Sequence, residues 1–464
     1  MQRKRCNQKF FFLFCMFKKI FCFVFFILIV SRSVSLVKEK KSLTLDEAIQ
    51  LGLETSKSLR SSQMNILFAE AKSEEMLSLD LPTVKFSGAY TRLSDVPPFK
   101  ANIPANAFAP GFPANNISFP LSPIVLDNYN TRLTIQQPIF SGFKIESSKA
   151  IAEYNVHASQ SEFLKEKREA IFNIKNAYWT LFKLREVKKL LDENVEQMKA
   201  HLADVENFKK QGMATTNDVL KVQVQLSNVQ LSQLDAASAV QLATMTLNNF
   251  IGLPLHTEIM LTTNVPREEQ KFASLDELIA TAIQLRPEIS AMEYRIKASD
   301  ANITLAKSGW FPQVAFVGNY TYARPNQRIV PTTNTFHDTW DVNVSISFDV
   351  WNWNTTSLQT TQAQAQRSQA ETALSLLKDG ITLEVTQQYL SLHQSLEKIS
   401  VAEKTMMHAE ENFRVTNEKF KNGIALNSEL LDAEVAVLQA KTTYTQSLIE
   451  YELSQARLEK IIGK

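Results

Sequence analysis

The chain has 464 residues, 44% of them hydrophobic, enough for a large core and, by length alone, for two or three ordinary domains. Its formal charge of +2 is unevenly spread: residues 1–35 hold Arg3, Lys4, Arg5, Lys9, Lys18, Lys19 and Arg32 and no acid, and removing those seven charges leaves the remainder at −5. That balance excludes the basic footprint of a nucleic-acid-binding protein.

The N-terminal segment reads as an export signal over residues 1–35: a basic region, an apolar run from Ile20 to Val30, and small residues at Ser33 and Ser35 that suit cleavage. An uncleaved anchor is the alternative, because Phe10–Phe17 is also apolar, but Lys18 and Lys19 divide the stretch below spanning length. Cys6, Cys15 and Cys22 all fall inside this segment, so the mature chain is expected to have no disulfide or thiol chemistry. No later segment offers ~18 uninterrupted apolar residues, and any later membrane crossing must therefore use strands.

An internal repeat organises the rest. Leu45-Asp46-Glu47-Ala48-Ile49 recurs as Leu275-Asp276-Glu277-Leu278-Ile279, and Pro82, Gly88 and Tyr90 recur as Pro312, Gly318 and Tyr320, all shifted by 230. Ile135, Tyr178, Leu181, Gly212, Leu220 and Gly252 match Ile346, Tyr389, Leu392, Gly423, Leu431 and Gly463 at a shift of 211. The 19-residue difference places an insertion between Tyr90 and Leu133. The expected division is a first repeat over 36–270 and a second over 271–464.

Each repeat opens with a helical segment, roughly 45–80 and 275–309, ending at Pro82 or Pro312. Strict alternation follows, the period of a strand with one apolar and one wet face. Val84, Phe86 and Tyr90 alternate with polar neighbours, as do Val314, Phe316, Tyr320 and Tyr322; the partner strands carry Leu133 with Ile135, and Val342, Val344, Ile346, Phe348 and Val350. The expected hairpins span 82–141 and 312–351. Runs of ~9–11 residues suit tilted membrane strands, and Tyr90, Tyr320, Tyr322, Trp340 and Trp351 near their ends suit an aromatic girdle. A soluble sandwich hairpin would show the same alternation. The connection over 93–130 holds seven of the fifteen prolines and reads as a loop, as does 323–340.

Beyond the hairpins, no proline occurs between Pro138 and Pro254 or after Pro331. Ile171, Ile174, Tyr178, Leu181, Leu184, Leu191, Val195, Met198, Leu202 and Val205 fall at three- and four-residue steps, which predicts a helix over about 143–210, roughly 100 Å long. Gly212 can turn the chain, with Thr216 or Asn217 capping a return helix to Phe250; Gly423 and Ser428 do the same in the second repeat. A leading helix and a returning helix together match the long one, so two short helices should stack end to end beside each long helix. Ala150, Ala152, Ala158, Ala177, Ala363, Ala365 and Ala370 would permit close packing.

Four strands cannot close a membrane barrel without bare edges. A trimer supplies 12 strands and about twelve helical rods, which predicts a 12-stranded barrel on a helical cylinder. The fold class expected is thus mainly α with a membrane β part.

The doubled plan, the L-D-E-A-I segment, the P-x-V-x-F-x-G-x-Y strand at Pro82–Tyr90, the Q-P-I-F-S-G-F exit at Gln137–Phe143, and the tip turns with Asp218-Val219-Leu220 and Glu429-Leu430-Leu431-Asp432 resemble the TolC-like outer-membrane efflux protein family over nearly all of the mature chain. The resemblance implies a homotrimer in the outer-membrane lipid that extends into the periplasm. There it docks on a periplasmic adaptor and an inner-membrane transporter of the RND or ABC type, exporting small molecules or polypeptide without cofactor or catalysis. It also implies that the turns at Gly212 and Gly423 are the adaptor-contacting tip and that Asp218, Glu429 and Asp432 ring a narrow entrance, where a ring of carboxylates favours cations. Acids near a helix N-terminus can instead serve the helix itself. Where familiar members close the gate with tyrosine and arginine, Phe420 and Ala425 stand here, so closure must rely on packing or other contacts. The six histidines show no metal-ligand spacing, and no phosphate loop or nucleophile motif is present. The rival reading is a periplasmic coiled-coil scaffold or adaptor without a barrel, which leaves the four alternating strands unexplained.

Overall fold

The computed structural model describes residues 41–97, 100–104, 117–120, 124–263 and 273–463. The expected export signal, with its cysteines, and much of the proline-rich loop lie outside the described residues.

Helix α1 (Leu45–Thr55) starts at a capping box in which Thr44 Oγ1 accepts from Glu47 N–H and the Glu47 carboxylate accepts from Thr44 N–H. It gives way to α2 (Lys57–Ser78) at Ser56, whose extended backbone and Oγ, accepting from Leu59 N–H, begin a new helix. The second repeat does likewise with α5 (Leu275–Leu285) and α6 (Pro287–Lys307). Here Arg286 is pushed out of the helical region by the proline that follows it. The leading segment, expected as one helix, is therefore two in each repeat.

The long helices α3 (Lys144–Lys210) and α7 (Thr355–Lys421) have 67 residues each, about 100 Å. The return helices α4 (Thr216–Phe250) and α8 (Asn427–Ile461) have 35 each. Helix α2 packs beside the upper half of α3 and α4 beside its lower half; α6 and α8 fill the gap between α3 and α7 in the same two-storey way. The end of α4 meets the α1–α2 break, where a side chain on Gly252 (φ +72°) would lie 2.5 Å from Thr55 Cβ, so only glycine fits. The protomer is thus a wall of four rods, two continuous and two built from stacked short helices. Ala152, Ala158, Ala177 and Ala363 are buried at helix contacts, Ala150 and Ala370 half-buried; Ala365 is exposed, outside the packing expected of it.

The strands are β1 (Lys41–Leu43), β2 (Thr83–Arg92), β3 (Lys100–Ile103), β4 (Ile117–Pro120), β5 (Asp127–Phe140), β6 (Ile259–Leu261), β7 (Gln313–Arg324) and β8 (His337–Ser347). Parallel β1 and β6 pair beside α1 at mid-height of the wall, where buried Tyr178 places its hydroxyl 3.1 Å from the Leu43 carbonyl and 2.9 Å from the Thr263 hydroxyl. Strands β3 and β4 form a short antiparallel hairpin inside the segment expected to be only loop. The main sheet is antiparallel in the order β2-β5-β7-β8. Strand β8 stops at Ser347, three residues short of Val350 where alternation had placed its end.

Register sorts the sheet into two faces. Val84 opposes Ile135, Phe86 opposes Leu133, Phe316 opposes Val344 and Val314 opposes Ile346, all on one face. That face is bare in the single chain: Phe86 is 72% exposed and Ile346 70%. The other face carries Asn130, Arg132, Thr134, Asn319 and Asp341, tied by hydrogen bonds from Thr134 Oγ1 to Asn319 Oδ1 and from Asn319 Nδ2 to Asp341 Oδ2, both 2.9 Å. Among the described residues β2 and β8 pair on one side only, leaving both outer edges with unmet N–H and C=O groups. No helix among the described residues is long and apolar enough to cross a membrane.

Candidate functional site

The two helical hairpins end side by side in turns built alike. Gly212 and Gly423 take φ of +76° and +72°, with Met213 N–H donating to the Phe208 carbonyl and Ile424 N–H to the Lys419 carbonyl, 2.8 Å each. This is the glycine-terminated helix end in which a left-handed residue lets the chain turn back on its own last carbonyls. Nothing lies within 4 Å of either glycine's missing side chain, so backbone conformation, not crowding, selects glycine there.

The restarting helices are capped earlier than the sequence suggested, by one residue in α4 and by two in α8. Thr215 caps α4: its Oγ1 accepts from Asp218 N–H at 3.2 Å, and Asp218 Oδ2 accepts from Thr215 N–H at 2.9 Å and from the Thr215 hydroxyl at 2.6 Å. Leu426, not Ser428, stands at the cap of α8, where Glu429 Oε2 accepts from Leu426 N–H at 3.1 Å. Both first-turn acids thus serve helix ends. The hydrogen bonds from the Thr215 hydroxyl and then its backbone N–H hold the Asp218 carboxyl below the usual carboxylate range. Asp432, one turn deeper, is exposed and makes no hydrogen bond or ion pair among the described residues.

Between the two turns lies a cleft of about 470 Å³ that brings Asp218 together with Phe420, Gly423 and Ala425. Phe420 is buried, its ring 5.5 Å edge-to-face from both Phe208 and His201, and Ala425 packs against the same cluster of Val205, Val219, Val222 and Leu430. Beneath Phe420 sits a polar cluster of buried His201, Asn427 and Glu434 with half-buried Gln197, which histidine spacing alone does not reveal. Its signal was positional: His201 falls inside the apolar stripe between Met198 and Val205, and Glu434 inside that between Leu430 and Leu438. Among the described residues no three His, Cys, Asp or Glu side chains are grouped to hold a metal ion.

At the opposite end of the molecule, Tyr90, Tyr320, Tyr322 and Trp340 gather at the far rim of the sheet. Tyr320 and Trp340 oppose each other across β7 and β8, Tyr90 lies 4.9 Å from Tyr129, and Tyr322 stacks on Phe336 at 5.1 Å. Trp351 lies past the near end of β8, 5.8 Å from Trp353. The five aromatics therefore form two separate groups at the two ends of the strands.

The comparisons fall on both repeats. A family profile described as outer membrane efflux protein matches residues 48–253 and 278–464, the two stretches that hold the paired hairpins. The chain belongs to the outer membrane efflux protein family. As an outer membrane efflux protein it resembles the outer membrane efflux protein BepC of Brucella suis, 21% identical over 67% of this chain and 68% of the relative. It likewise resembles the outer membrane protein TolC of Vibrio cholerae, 21% identical over 67% and 72%, and the alkaline protease secretion protein AprF of Pseudomonas aeruginosa, 19% over 73% and 70%. In fold it superposes on the outer membrane channel CmeC of Campylobacter jejuni with a TM-score of 0.74 over 90% of this chain and 85% of the other, at 14% identity. Membership places the efflux protein in the outer membrane, among efflux channel proteins.

Proposed function

We propose that three copies assemble into a passive exit duct whose sheets close a 12-stranded barrel in the outer membrane and whose helical walls close a periplasmic tube. One observation carries this reading. The unpaired edges of the protomer lie on matching sides, with β2, α2 and α4 on one side and β8 and α7 on the other. Each edge helix carries exposed apolar side chains. Leu220, Val224, Leu231, Leu234 and Leu242 are exposed on α4, Met64, Leu67 and Phe68 on α2, and Leu376, Leu383, Leu390, Val401 and Met407 on α7. A second copy set edge to edge would pair the strands and cover the stripes together, and closure after three copies encloses a polar lumen lined by the Arg132–Asp341 face, with the Val84–Ile346 face toward lipid and its two aromatic groups at the interfaces.

At the other end, the turns at Gly212 and Gly423 would meet a periplasmic adaptor, and an inner-membrane transporter of the RND or ABC type would supply energy and choose the cargo. Asp432 has no structural partner to hold it and is the acid best placed to act on ions at the entrance; Asp218 and Glu429 act there through the same carboxylates that cap their helices. Phe420 and Ala425 close the tip by packing. Conductance and ion preference of the purified trimer in planar bilayers test this: Asp432→Ala should weaken cation preference more than Glu429→Ala, and an unchanged reversal potential in both would overturn the ring. If Phe420→Tyr with Ala425→Arg left conductance unaltered, closure by packing at those positions would be refuted. A periplasmic scaffold would instead fractionate as soluble protein, and it leaves the apolar sheet face without a purpose.

A further inference from the structure

The tip core is apolar except at one place. His201 of α3 and Glu434 of α8 each expose only 4% of their side chains, with His201 Nδ1 3.0 Å from Glu434 Oε2. Gln197, one turn back on α3, donates Nε2 to Glu434 Oε1 at 3.2 Å. The other ring nitrogen, Nε2, lies 3.0 Å from Asn427 Oδ1. The orientation of that amide follows from its far end, where Nδ2 donates to the Asp218 backbone carbonyl at 3.3 Å, so that Oδ1 and not the amino group faces the ring.

Both ring nitrogens are thus engaged, one by the Glu434 carboxyl group and the other by the Asn427 amide oxygen. Around them α7 contributes the edge of Phe420, α3 the Gln197 amide and α4 a backbone carbonyl, the Asp218 carboxylate being turned to Thr215.

Through these four bonds one polar cluster links α3 and α4, the first hairpin, to α8 of the second. The 211-residue repeat shows what stands at the equivalent joint, where α7 of one copy would meet α4 of the next. Asn412 replaces His201, Gln223 replaces Glu434, Thr216 replaces Asn427, and exposed His408 takes the place of Gln197. The His–Glu pair has no counterpart there.

We propose that His201, Glu434 and Asn427 form a hydrogen-bonded clip that makes the two hairpin tips of one chain a single body, so that widening of the tip takes place between neighbouring chains. The second half of this statement rests on the trimeric duct proposed above; the first does not.

Amide exchange of the full-length chain in detergent tests the clip without requiring conduction. His201→Gln and Glu434→Gln should each raise exchange of residues 211–219 and 422–430, corrected for the intrinsic rate, about tenfold in both turns, and the double variant should add little to either. In a Val205→Ala background, which removes packing alone, Glu434→Gln should still raise exchange in both turns. Exchange that rises in one turn only, or a double variant whose effect is the sum of the two singles, overturns the clip. For the joint between chains, Asn412→His with Gln223→Glu and Thr216→Asn installs a clip there and should lower single-channel conductance several-fold. Unchanged conductance in an intact trimer overturns the slip between chains. A wild-type chain that forms no channels sinks the duct, and with it the slip, while the exchange data still decide the clip.

Discussion

Asp218 holds the start of α4 through two hydrogen bonds to its backbone and hydroxyl partner Thr215, and the consequence is a pH-dependent helix end. Because its folded carboxyl is held low by Thr215, its contribution is present above the unfolded carboxylate range and disappears as pH falls through the folded value. Asp218→Asn should therefore cost about 1 kcal/mol near neutrality, the usual worth of a cap, and nothing in strong acid, as measured by denaturant melts at the two pH values. Glu452 on α8 has the opposite sign. Burial, then the neighbouring Glu459, push its carboxyl up to about 7, with Lys175 only partly opposing them. A raised carboxyl leaves stability intact below the unfolded value near 4.5 and removes it as pH climbs toward 7. Glu452→Gln should then melt higher than wild type at pH 8 and equally at pH 4, by about 1 kcal/mol once solvent screening of this half-exposed group is allowed for. Equal melting at both pH values would show that the buried carboxylate is solvated in the assembly. The acids at the tip were legible in the sequence because first-turn acids follow a glycine. The His201–Glu434 pair was not, since a polar residue on an apolar stripe is recognisable only when its partner, 233 positions away, is known.

Glycines separate two physical demands on the elements. At Gly212 and Gly423 the added methyl meets open space, whereas at Gly252 it would sit 2.5 Å from Thr55 and at Gly463 3.1 Å from the Leu285 backbone. All four have positive φ. Gly212→Ala should cost only the left-handed strain, about 1 kcal/mol, and Gly252→Ala distinctly more, because α1 must also move away from the end of α4. Thermal melts of the two variants side by side check the order, and a smaller loss at Gly252 would mean that the α1–α4 junction is loose. Element lengths were largely readable: a repeat at constant shift forces 67 against 67 and 35 against 35 residues, and the absence of proline fixes where the long helices run. The breaks at Ser56 and Arg286 were harder to see, since an apolar period continues through both. Pro287 marked one of them, but Ser56 becomes a cap only because α1 has to bend around the end of α4.

Assembly ties these scales together, because height along the wall dictates which edge residues meet. Helix α4 folds back from the Gly212 turn beside α3, so Leu231 and Leu234 lie about level with residues 190–195 of α3. By the 211-residue shift, that level on α7 falls near Val401. A closed ring of three copies should then set Leu231 and Leu234 of one chain against Val401 of the next, with Met64 and Leu67 of α2 meeting Leu376 and Leu383 higher up. Burying each Leu is worth roughly 1.5–3 kcal/mol and the contact recurs three times, so a charge there is felt threefold. Leu234→Glu should convert the detergent-extracted trimer to monomer in sizing chromatography, as should Val401→Glu, while an equally exposed but non-edge change such as Asp432→Ala leaves the trimer whole. Combining Leu234→Glu with Val401→Lys should restore association in part, since the two new charges then face each other across the joint. If both single variants remained trimeric, the helical edges would not be the joint, and closure of the barrel strands alone would have to hold the assembly together.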